Sequence, residues 1–118
     1  RAKKPIDAKS ITANGSVWVL TQDNKIERYY AGYLQETLSI ELFPYPKDFT
    51  KILASPPYLY VLEPALSRII ILDKSVGIVK QFQSQKFDNL LDFSVQDGGK
   101  IIYILNGQKI YKIKTGGY

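Results

Sequence analysis

The 118-residue sequence is 45% hydrophobic and carries a formal charge of +5, which is apolar enough for a real core and excludes a disordered tail. Cysteine and histidine are both absent, so disulfides and thiolate chemistry are excluded, together with the commonest general base and the commonest zinc ligand. No apolar run reaches the roughly 18 positions of a membrane-spanning helix and no signal-like start is visible, while the lack of methionine implies a longer parent sequence.

In chain order, residues 1–8 read as a basic tail, and the strands that follow are short runs rich in Val, Ile, Tyr and Phe, separated by Gly, Asn, Pro and Asp. The first group is predicted at 9–14, 16–22, 25–31 and 36–44, with Asn14-Gly15 and Asp23-Asn24 as turns. Asn14-Gly15-Ser16 also fits the glycosylation pattern, but it reads equally as a tight turn. A second group is expected at 50–55, 58–63, 68–73 and 77–83, and a third at 91–96, 100–105 and 109–114. Gly116-Gly117-Tyr118 then ends the sequence before a fourth strand can form. Helical periodicity is almost nil.

The three groups repeat one another. Trp18-Val19-Leu20, Tyr60-Val61-Leu62 and Tyr103-Ile104-Leu105 form a recurring triplet, and Lys25-Ile26, Arg68-Ile69 and Lys109-Ile110 keep nearly the same beat behind it. Ahead of each triplet lie Ile11-Thr12-Ala13, Ile52-Leu53-Ala54 and Phe93-Ser94-Val95. A period of about 40 to 45 residues with four strands per unit predicts an all-β, β-propeller fragment of about three four-stranded antiparallel blades. The blades are expected at 9–49, 50–90 and 91–118, the last incomplete. A β-sandwich is the alternative, but sandwich strands have no reason to repeat motifs at this interval.

The segment Glu63-Pro64-Ala65-Leu66-Ser67-Arg68-Ile69-Ile70-Ile71-Leu72-Asp73 resembles the NHL family, in which an acidic residue precedes a short turn, then Arg-Ile and an apolar strand. The first repeat keeps the turn and the basic-isoleucine step but has Thr21 in place of the acid, and the third has Asn106 there. Resemblance to such six-bladed propellers implies a ring of about six units, so this chain would supply half and need a second copy or another protein chain to complete it. It also implies that the turns between second and third strands share one face with the links between blades. Candidate binding-face residues are then Asp23, Asn24, Lys47, Asp48, Glu63, Arg68, Lys86, Asp88 and Asn89.

Function follows less directly. Residues 1–9 hold four basic residues against Asp7 and residues 109–118 hold three against none, while the middle carries nine basic and ten acidic residues. A basic stripe over the folded body, the footprint of nucleic-acid binding, is therefore not evident. The leading expectation is a non-catalytic scaffold for protein-protein binding, with no catalytic residue, metal or cofactor assigned. An RNA-binding face would need Lys25, Lys47, Lys86 and Arg68 exposed together. A calcium-dependent hydrolase fragment would use Asp88, Asn89 and Asp92 as hard-oxygen ligands, although Asp and Asn more commonly make turns.

Overall fold

In the computed structural model, which describes residues 7–116, eleven strands form three antiparallel sheets in strict sequence order. Sheet 1 contains β1 (Ala8–Asn14), β2 (Ser16–Thr21), β3 (Lys25–Tyr30) and β4 (Tyr33–Ser39). Sheet 2 contains β5 (Lys51–Ser55), β6 (Tyr58–Glu63), β7 (Arg68–Leu72) and β8 (Ile78–Gln83), and sheet 3 contains β9 (Leu90–Gln96), β10 (Ile101–Asn106) and β11 (Lys109–Lys114). Each strand pairs with the next through a short turn, so every sheet is a meander. The sequence places ten of the eleven strands within about two residues. Of the expected basic tail at 1–8, residues 1–6 lie outside the described residues, and Ala8 already belongs to β1.

The exception is β4, expected at 36–44 and found at Tyr33–Ser39. Ala31 and Gly32 both adopt positive φ, 51° and 83°, which is the two-residue hairpin whose twist matches that of the flanking strands. The hairpin closes immediately after Tyr30 and brings Tyr33 opposite it, so the strand begins early. It ends before Phe43-Pro44-Tyr45-Pro46, where proline removes backbone donors from any ladder.

Sheet 2 is sandwiched between the other two, and its side-chain alternation shows how. Leu59, Val61, Ile70 and Leu72 join a core shared with sheet 1, which contributes Trp18, Leu20 and Ile26. Their strand neighbours Tyr60, Leu62, Ile69 and Ile71 face the other way, into a core with Phe93, Ile102 and Ile104 of sheet 3. A strand buried on both faces loses the apolar-polar alternation of a half-exposed one, which is why β7 reads Arg-Ile-Ile-Ile-Leu. Each of these side chains contributes about 1.5–3 kcal/mol through burial.

The repeated triplet has one structural meaning. Its aromatic and leucine positions point toward the following sheet, as with Trp18 and Leu20 in the first core and Tyr60 and Leu62 in the second, while Val61 and Ile104 point back. The first strands are also stitched together. Ser10 and Thr12 hydroxyls on β1 accept bonds from the Ile52 and Ala54 N–H groups at 3.1 and 3.0 Å, and the Lys51 ammonium on β5 pairs with Asp92 on β9.

Candidate functional site

The turns between second and third strands lie at the edge where one sheet is linked to the next, and this edge holds the predicted binding-face residues. At its centre is Glu63, the last residue of β6. One carboxylate oxygen accepts the backbone N–H groups of Lys47 and Asp48 at 2.6 and 2.9 Å. The other meets Arg68 at the start of β7, at 2.6 Å from Nη2, with neither side chain exposed. Arg68 then donates to the Pro44 carbonyl at 2.8 Å and to Gln81 at 3.1 Å, and Gln81 donates to the Phe43 carbonyl at 3.2 Å. The link between sheets 1 and 2 is thus fastened across the end of sheet 2 by side chains of β6, β7 and β8.

Asn106, at the repeat position of Glu63, does the same for the link between sheets 2 and 3. Its carbonyl oxygen accepts the Asn89 N–H at 2.9 Å, and its amide donates to the Lys86 carbonyl at 3.2 Å and to the Asp88 carboxylate at 3.0 Å. In sheet 1 the equivalent Thr21 turns inward instead, accepting the Lys25 N–H at 3.0 Å and donating to Asp23. That hydroxyl, with Lys25 at 3.8 Å, holds the Asp23 carboxyl below its ordinary value. Asn24 takes over the fastening role in sheet 1: it accepts the Phe49 N–H at 2.9 Å and donates to the Lys47 carbonyl at 3.1 Å.

The structure therefore brings Asp23, Asn24, Lys47, Asp48, Glu63 and Arg68 into one neighbourhood and Lys86, Asp88 and Asn89 into another around Asn106. Of the nine, Glu63 and Arg68 present no surface, which removes Arg68 from any exposed RNA-binding set. The cause is their mutual pairing, since a buried charge is retained only when paired and hydrogen-bonded. Asp88 and Asp92 do not converge, because Asp88 bonds Asn106 whereas Asp92 bonds Lys51. The lysine also draws the Asp92 carboxyl below its ordinary value. Lys47, Asp48, Lys86, Asp88 and Asn89 are exposed, and Lys86, Asp88 and Lys109 border an open cleft of about 780 Å³.

The sequence reading missed Lys9, which reaches Asn24 at 2.9 Å and Asp48 at 2.8 Å. By composition Lys9 falls among the basic N-terminal residues, and its place on β1 beside the link is the available signal.

No protein-family model matches the chain, and no curated relative does. Solved structures do. A streptogramin B lyase superposes with a TM-score of 0.74 at 20% identity, covering 99% of this chain and 41% of that one. The hydrazine synthase of Kuenenia stuttgartiensis gives 0.71 at 15% identity, covering 98% and 35%, and BamB from Moraxella catarrhalis gives 0.67 at 16% identity, covering 92% and 34%. These neighbours are propeller proteins.

The chain is a β-propeller segment. Its three sheets are consecutive blades, and it spans about two fifths or less of each of these propeller chains. Their identities establish the fold alone, and they include a lyase as well as other proteins. The third blade shows three strands among the described residues.

Proposed function

We propose that this chain is a non-catalytic interaction scaffold, nearest in type to NHL propellers, whose blades are completed by those of a second copy or another chain and whose linking edge is presented to a protein partner. The blade-3 face carries this reading. Ile26 and Ile69 are fully buried by the blade that follows each of them, whereas Ile110, at the same repeat position, is 74% exposed. Leu20 and Leu62 are likewise buried, while the equivalent Leu105 is 39% exposed. The outer face of blade 3 thus has the pattern of a surface built to receive another blade, and exposed apolar patches of this kind mark association sites.

Light scattering on the 13.4 kDa chain over a range of concentration tests the reading. Association that Ile110→Lys abolishes is expected, with a mass near twice the monomer if two copies close a ring. A monomer that stays soluble and does not aggregate at high concentration would overturn it.

A further inference from the structure

Two turns of the fold contain the same dipeptide, Asn14-Gly15 between β1 and β2 and Asn106-Gly107 between β10 and β11. Asparagine is among the thermally labile residues. A following glycine exposes it most, because the backbone nitrogen that can attack the side-chain amide then carries no neighbouring Cβ to hinder it and the backbone turns freely. Sequence alone makes the two sites equivalent. Their surroundings do not.

At Asn106 both reacting groups are engaged. The side chain belongs to a residue only 5% exposed and is held at three points, by the Asn89 N–H, the Lys86 carbonyl and the Asp88 carboxylate. The Gly107 N–H donates to the Asn89 carbonyl at 2.8 Å. Bringing that nitrogen onto the Asn106 amide requires all of these bonds to break together.

At Asn14 neither group is held. Its side chain makes no hydrogen bond among the described residues, and the hydroxyl of nearby Ser16 is occupied by Arg28. Gly15 is exposed at the tip with φ 74°, open space surrounds the place a Cβ would take, and its N–H donates to no carbonyl among the described residues. Asn14 and Ser16 form the last pair of the β1–β2 ladder, so the rotation that ring closure needs disturbs only a hairpin end, where opening is least costly.

We infer that Asn14 is a site of spontaneous deamidation in the folded chain and that Asn106 is protected from it. The Gly15 nitrogen bonds to the Asn14 side-chain carbonyl carbon, the carbon–nitrogen bond of the side-chain amide breaks, and ammonia leaves with the Gly15 proton. Water then opens the resulting succinimide at either carbonyl, giving aspartate or isoaspartate; no other reactant is consumed. Either product lowers the formal charge of +5 by one. Isoaspartate also adds a methylene to the main chain at the end of β1, the strand whose Ser10 and Thr12 hold blade 2. The modification thus acts on the contact between blades 1 and 2, whatever completes the propeller.

Incubation of the native chain at mildly alkaline pH, followed by proteolysis and tandem mass spectrometry, reads each asparagine separately. Asn14 is expected to gain one mass unit progressively while Asn106 keeps its mass. In urea, where only local sequence remains, both should convert. Ion exchange of the aged chain is expected to resolve a less basic species that Asn14→Ser does not form. The inference is overturned if native Asn14 survives as long as Asn106, if Asn106 converts alongside it, if Asn106 stays intact even in urea, or if aged Asn14→Ser yields the same charge variant.

Discussion

Glu63 and Arg68 meet at 2.6 Å with both side chains fully buried, and the same carboxylate holds the N–H groups of Lys47 and Asp48. Removing one partner of such a pair strands a charge away from water, whereas replacing both with apolar residues can be close to neutral. Glu63→Leu and Arg68→Met are each expected to destabilise the fold by about 3–5 kcal/mol, and the double variant by clearly less than their sum. It will still fall short of the parent, because Lys47 and Asp48 lose their acceptor. A double-mutant cycle in chemical denaturation measures this, and strictly additive losses would contradict the pairing.

The same substitution at one repeat position has opposite outcomes in neighbouring blades. Ile69→Lys forces an ammonium into a fully buried site between blades 2 and 3 and is expected to abolish folding. Ile110→Lys places it on an exposed face and is expected to change the stability of the monomer by no more than about 0.5 kcal/mol. Circular dichroism melts of the two variants make the comparison.

Asn106 fastens the second inter-blade link by three bonds. Asn106→Ala is expected to cost about 1–3 kcal/mol, the loss of three hydrogen bonds to partly buried partners. It also frees the Asn89 N–H, so hydrogen exchange at that amide should accelerate before global unfolding does.

Asp92 sets a pH dependence of known sign. Its folded pKa lies below the ordinary value of 3.8, chiefly through the hydrogen bond from Lys51. A depressed carboxyl contributes stability that is fully present above its unfolded value and is lost as pH falls through the lower folded value. The acid side of the stability profile should therefore drop below pH 3.8, and Lys51→Met should flatten that drop. An identical acid limb in Lys51→Met would show that the pair contributes nothing measurable.

The architecture was legible because the repeat makes every blade a copy of the others, with Trp18, Tyr60 and Tyr103 marking the same position. The β4 boundary was not, because Ala31-Gly32 is an inconspicuous hairpin beside the more obvious Phe43-Pro44-Tyr45-Pro46. At the linking edge, residue type marked Glu63 and Arg68 as candidates for binding, yet each is consumed by the other. Pairing across a turn cannot be distinguished from solvent exposure by composition.

The central position of blade 2 has a kinetic consequence. A meander supported on both sides can open only after a neighbour has left, whereas blades 1 and 3 are each held by one of the two cores. In such quasi-one-dimensional arrays stability is shared between nearest neighbours, so in the isolated chain, with no further blade docked, unfolding enters from blades 1 and 3. The amides of β6 and β7 should be the last to exchange, making the middle blade the template on which its neighbours re-form after every partial opening.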